Sequence, residues 1–183
     1  TQICCITKHF SQRHESTNRL SIGPGFHSFD ATTTGIQVAA DITVDDTTFL
    51  AVIEPDGMRG HWLPINAAFL EASNLQPEQA VGQQVTLSIN PTKDWPEPSV
   101  PTDLQEALDS ASDIQDLWST ITPMARWEWV RWVKATKNPA TRARRVDVSI
   151  SKMRSGKRRP CCFDLSSCTD PELSKSGKLI PRS

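Results

Sequence analysis

No apolar run in the 183-residue chain approaches the ~18–20 residues that a membrane-spanning helix needs, so a helical span is excluded. Residues 1–20 lack the basic, then apolar, then small order of a signal peptide, and the chain reads as cytoplasmic. No C-x-x-C pair occurs among the 5 cysteines, Cys4, Cys5, Cys161, Cys162 and Cys168. Adjacent cysteines rarely bond each other, and an odd number leaves a free thiol. A zinc knuckle and a secreted disulfide framework are therefore both poor fits, and free thiols are expected. The histidines His9, His14, His27 and His61 are dispersed and show no metal-ligand spacing. No G-x-S-x-G elbow, phosphate-binding loop or G-x-G-x-x-G is present, so no motif implies an enzyme or a cofactor. Tyrosine is missing altogether beside 6 Trp and 6 Phe, an imbalance with no evident physical cause.

The net charge of -1 conceals an asymmetry. Between Asp41 and Asp116 about fourteen acidic side chains face only Arg59 and Lys93. Between Arg126 and Arg159 about a dozen Lys and Arg face only Glu128 and Asp147. Halves of opposite sign imply either attraction between domains or an external anionic partner for the basic half.

Along the chain, residues 1–27 show no periodicity and end near Gly23-Pro24-Gly25, which reads as a disordered leader. Residues 28–98 are β-like. Phe29 to Thr34 and Ile36 to Val38 are short candidates, and Thr47 to Ile53 is the strongest, being rich in β-branched and aromatic residues. Pro55-Asp56-Gly57 spells a turn. His61 to Ile65 is another strand, in which Pro64 argues for an edge or a bulge. Asn66 can cap a short helix over Ala67 to Leu70, and Val85 to Ile89 alternates with period two. This series predicts a small β-barrel.

Pro91 to Pro101 holds four of the 13 prolines and reads as a linker. Beyond it the period becomes helical over residues 99–160. Thr102 with Gln105, and Ser112 with Gln115, match capping boxes. Ile114, Leu117, Trp118 and Ile121 form one stripe. Thr122-Pro123 and Asn138-Pro139 each pair an N-cap with proline at the first helical position. The helices they open should bury Trp129, Trp132 and Val133, then Ala143, Val146, Ile150 and Met153, with Gly156 as terminator. Residues 161–183 read as a flexible, cysteine-containing tail. The expected class is thus α+β, an N-terminal β-barrel followed by three to four short helices.

One order of residues is specific. Thr122-Pro123, Arg131-Trp132-Val133 and Lys137-Asn138-Pro139-Ala140-Thr141-Arg142-Ala143-Arg144-Arg145-Val146 resemble the C-terminal helices of the YdeI/OmpD-associated, or bacteriocin-protection, family. Gly156 to Phe163 resembles the ending of some members. Phe29 to Asp103, including Pro101-Thr102-Asp103-Leu104-Gln105-Glu106-Ala107-Leu108, is more loosely similar to the small β-barrel domain that often precedes those helices. Residues 1–27 and 169–183 lie outside the resemblance. It implies a non-enzymatic interaction protein connected with envelope stress or antimicrobial-peptide tolerance, and it implies no catalytic residue.

The candidate anion- or partner-binding residues are Arg131, Lys134, Lys137, Arg142, Arg144 and Arg145. They could serve an acidic protein or a small anion, or nucleic acid with nearby tryptophans for stacking. Against these stands a solvated helix face whose arginines pair with acidic groups of the barrel. Arg142 and Arg145 share a helix face and Arg144 does not, which already divides the set. Trp118, Trp127, Trp129 and Trp132 read as core or domain interface, although Trp127 and Trp129 cannot share a face. Two rivals remain open. One is a small-ligand site or enzyme in the barrel interior near Trp62 or Trp95. The other is a low-pKa thiol at Cys161 beside Lys157, Arg158 and Arg159.

Overall fold

A computed structural model describes residues 3–7, 19–22, 36–44, 46–65, 67–74, 84–161 and 164–180. The chain divides into two compact units. One is Thr1–Pro96 with Leu165–Cys168 and Lys175–Ser183, and the other is Glu97–Asp164 with Thr169–Ser174.

The first unit is built on β1 (Ile3–Thr7), β2 (Arg19–Ile22), β3 (Val38–Val44), β4 (Thr47–Pro55), β5 (His61–Pro64) and β6 (Gln84–Pro91), with helix α1 (Ala67–Ala72). The strands pair antiparallel in the order β1-β6-β3-β4-β5-β2. β1 and β2 stand at the two ends of that order, and no hydrogen-bonded ladder joins them among the described residues, so the strands form an antiparallel sheet. Both end strands come from the stretch that composition reads as a leader. Phe29 to Thr34 and the Asn66 cap lie outside the described residues. Pro64 is not on an edge strand, because β5 lies between β4 and β2. It is the last residue of its strand, where the ladder is already ending.

Strand alternation places Ala40, Ile42, Val44, Ala51, Ile53, Leu63, Leu87 and Ile89 on one face, where Phe69 of α1 completes the core. Phe49 meets Phe69 edge to face, with ring centroids 6.2 Å apart. The opposite face is buried at one end by Ala39, Val52 and Trp62, and open at the other, where Leu50 is 38% exposed. Trp62 therefore lies across the sheet from the main core, and its indole N–H has no partner among the described residues. His61 is buried, and its Nε2–H donates to the Ile36 carbonyl at 2.9 Å.

The Pro55-Asp56-Gly57 turn forms as read. Asp56 Oδ1 accepts from the backbone N–H groups of Met58 and Gly60 at 2.6 and 2.9 Å, and Gly57 has φ +76°. The glycine is required twice over, since a Cβ there would lie 2.0 Å from the Gly177 carbonyl oxygen. The Leu179 N–H donates to the Asp56 carbonyl at 2.7 Å. Residues 165–180 thus carry order that the expected flexible tail lacks: turns, a ribbon of β7 (Ser174–Lys175) and β8 (Lys178–Leu179), and buried Cys168, Leu173 and Leu179. Cys161 is exposed and Cys168 is buried.

The second unit holds α2 (Thr102–Asp109), α3 (Gln115–Thr120), α4 (Pro123–Lys134) and α5 (Pro139–Arg154), with a 3-10 turn at Ser112–Ile114. Helices this short are marginal alone and depend on packing. Leu104, Leu108, Ala111, Ile114, Ile121, Ala125, Trp129, Val130, Val133, Val146, Ile150 and Met153 form one core, with Trp129 wholly enclosed. Trp118, Trp127 and Trp132 are only partly buried, and Ala143 is exposed. Thr122 Oγ1 accepts from the Ala125 N–H at 3.3 Å, and Asn138 Oδ1 accepts from the Thr141 N–H at 3.0 Å, so both proline-initiated helices are capped as expected. Neither capping box forms. Thr102 is the first helical residue, after Pro101 in the cap position, and Gln115 turns away to donate to the Leu108 carbonyl. The Ile114 to Ile121 stripe is likewise split between the 3-10 turn and α3. No described helix is long and apolar enough to cross a membrane.

Helix α5 ends in a Schellman motif. Gly156 has φ +76°, its N–H donates to the Met153 carbonyl, and the Lys157 N–H donates to the Lys152 carbonyl. A Cβ at Gly156 meets nothing within 4 Å, so the glycine is there for backbone conformation alone. Gly156→Ala should therefore cost about 1 kcal/mol, measured by urea denaturation. A second expectation concerns His61, whose pKa is pushed below its ordinary 6.5 by burial, against the opposing effects of the Ile36 carbonyl and Asp56. The unfolded chain takes up the proton first, so this contribution is whole above pH 6.5 and is lost as pH falls through the lowered folded value. Urea unfolding at about pH 7.5 and about pH 5.5 should show a smaller loss for His61→Asn than for the wild type.

Candidate functional site

The six candidate cations all lie in the helical unit, on α4, on α5 or between them. Arg131 and Lys134 occupy the last turn of α4, where positive charge complements the helix dipole. They part company in burial. Arg131 is 4% exposed, and its Nε donates to Thr169 Oγ1 at 2.9 Å, while Lys134 is exposed. Lys137, between the helices, pairs with Glu172 at 2.6 Å, with both side chains mostly in solvent.

On α5, Arg142 grips Asp103 of α2 with a two-pronged fork. Its Nε donates at 2.5 Å and its Nη2 at 2.9 Å to the two carboxylate oxygens. The hydrogen bonds from Arg142 hold the Asp103 carboxyl below its ordinary pKa, and those to Asp103 push Arg142 up. Arg145 does something different. Its Nη1 donates to the Trp132 carbonyl at 2.7 Å, satisfying one of the free carbonyls at the end of α4. Its guanidinium carbon also lies 5.8 Å from the Trp132 ring centroid. Desolvation lowers its pKa. Arg144 is exposed, and neither it nor Lys134 has an ion-pair partner among the described residues.

The sequence cluster is thus divided. Arg131, Arg142 and Arg145 make contacts within the helical unit, Lys137 makes a solvent-screened pair, and Lys134 and Arg144 alone of the six are exposed without an ion-pair partner among the described residues. Arginines outside the set follow the same pattern. Arg126 forks onto Glu97 at 2.9 and 2.7 Å and also donates to the Trp118 carbonyl. Arg154 forks onto Asp113 at 2.7 and 3.1 Å, and Arg159 onto Glu128. Every counter-charge named here belongs to the helical unit, not to the sheet. The acidic stretch of the sequence runs past the unit boundary, and its last members neutralise the basic stretch.

Cys161 is exposed, and its cation is Lys152 of α5, whose Nζ donates to Sγ. Arg158 and Arg159 are engaged elsewhere, at Thr120 and Glu128. Lys152 also lies 5.9 Å from the Trp132 ring centroid. No composition signal pointed to Lys152, because the contact depends on how the chain turns after Gly156.

The Arg142–Asp103 pair gives an acid dependence with a defined sign. A carboxylate held below its ordinary value stabilises the fold above about pH 3.8 and stops doing so as pH falls through the lowered folded value. Both side chains are partly exposed, so Arg142→Ala should cost only about 0.5–1 kcal/mol near neutrality. Acid titration of helical circular dichroism should show that difference shrinking below about pH 3.8.

No curated protein and no solved structure shows a match to the chain. A protein-family model does match, over residues 97–156. The matched stretch opens at the first residue of the helical unit and closes on the glycine that ends α5. Over this helical segment the chain is similar to the family described as bacteriocin-protection, YdeI or OmpD-associated.

Proposed function

We propose that the chain is a non-enzymatic, cytoplasmic interaction protein of the YdeI/OmpD-associated type that contributes to bacteriocin tolerance. In this reading Lys134 and Arg144 contact an acidic protein partner. The observation that carries it is the division of the cationic cluster. Most of the arginines are already neutralised or buried within the helical unit, and of the six candidate cations only Lys134 and Arg144 are exposed without an ion-pair partner among the described residues. A polyanion such as DNA needs many simultaneous phosphate contacts, and Arg131, Arg142 and Arg145 are committed elsewhere. Two point charges suit a localised acidic patch, where they steer association and set specificity more than they add affinity.

Two measurements test this. A bacterial host carrying the chain should survive a bacteriocin challenge better than one without it, and Lys134→Glu/Arg144→Glu should remove the gain while leaving the melting curve unchanged. Equal survival with and without the chain overturns the reading. Titration with single- and double-stranded oligonucleotides, followed by tryptophan fluorescence, should show no salt-steep binding. A slope of several released ions would move the assignment to nucleic acid.

A further inference from the structure

The helical unit holds a second feature, opposite in sign to Lys134 and Arg144. Glu128 on α4 is a carboxylate only 3% exposed. A buried charge is tolerated only where it is paired and hydrogen-bonded. Its partner comes from beyond the matched segment: Arg159 donates through Nε at 2.7 Å and through Nη2 to the two carboxylate oxygens. Beside it, the indole N–H of Trp129 leaves the core to donate to the Arg158 carbonyl at 3.2 Å. The Arg158 guanidinium in turn donates to the Thr120 carbonyl at the end of α3.

Residues 158–159 are therefore held as a peptide ligand is held. A carboxylate takes one guanidinium, a fixed N–H takes the adjoining main-chain carbonyl, and a helix-end carbonyl takes the second guanidinium. The strap has no helix or strand of its own and follows the left-handed turn at Gly156. The Arg159 side chain is 53% exposed and that of Glu128 only 4%, so the socket opens to solvent from the arginine's side. The fork geometry selects arginine over lysine, whose ammonium is a point charge.

We propose that Glu128, the Trp129 indole N–H and the Thr120 carbonyl form a receptor socket for an Arg-Arg segment of a partner protein, and that residues 158–159 occupy it in cis. The strap then acts as a competitor that a stronger ligand in trans displaces. This proposal rests on contacts separate from those of Lys134 and Arg144.

The test uses the full chain and a labelled peptide, Gly-Lys-Arg-Arg-Pro, copying residues 156–160. Arg158→Ala/Arg159→Ala removes both guanidiniums, leaving only the main-chain carbonyl of residue 158 at the indole, and should bind the peptide at least about ten-fold tighter than the wild type, because the competing arginine side chains are gone. Adding Glu128→Gln to that variant should abolish binding, and a Lys-Lys peptide should bind far more weakly than Arg-Arg. Equal binding by the wild type and the double variant, or indifference to Glu128→Gln, overturns the proposal. In the unmodified chain, whose folding is not at issue, excess peptide should shift the Trp129 indole N–H resonance, and no shift would also overturn it. A concentration-dependent wild-type dimer that Glu128→Gln dissolves would replace the partner protein by strap exchange between two copies.

Discussion

The enclosure of Trp129 is the constraint on which the helical unit depends. Four helices of 6 to 16 residues have no independent stability, and they persist because α2, α4 and α5 close a single apolar core around that indole. Enclosing one large ring draws its helix neighbours inward: Glu128, Val130 and Arg131 are buried with it. Two of these carry charge, and burial of charge demands partners. Arg159 and Thr169 answer that demand, and the chain beyond α5 is drawn onto the unit as a result. The fixed ring also directs the indole N–H to the Arg158 carbonyl, so one packing decision positions the strap twice.

Around that core the electrostatics are local. The arginines of α4 and α5 reach the carboxylates of α2 and of the segments flanking α2, at sequence separations of 29 for Arg126 with Glu97, 39 for Arg142 with Asp103 and 41 for Arg154 with Asp113. Each is a two-pronged contact on the outside of an apolar seam. Exposed pairs of this kind contribute modestly to stability, but they fix which faces of neighbouring helices meet. They also change what the unit can do. A stretch with about a dozen basic residues presents few of them to a partner, while its buried carboxylate becomes a feature of interest.

The sheet unit solves a different problem. Its main core lies on one face under α1, and the second face is buried only at the end that holds Ala39, Val52 and Trp62. Loop closure near Gly57 admits the Gly177 carbonyl at a distance that only a glycine allows. Residues from the far end of the sequence are thereby part of this unit.

By itself the sequence determined the helical half closely. Thr122-Pro123 and Asn138-Pro139 mark helix starts because the N-cap bond and the proline ring act within one turn, and Gly156 marks an end because only local backbone conformation is at stake. The strong strand at Thr47, the Asp56-Gly57 turn and the apolar faces of α4 and α5 were legible for the same reason, apart from the exposed Ala143. What only the tertiary structure decided involves partners distant along the chain. The sheet order, with β1 and β2 at its ends, rests on pairings between distant strands. The fate of each cation rests on which carboxylate the packing delivers to it. Arg131 and Lys134 share one helix turn and one charge, yet the first is sealed against Thr169 and the second faces water. Local pattern records a residue's period and its cap; burial and pairing depend on long-range packing, and that packing separates a structural arginine from one free to bind.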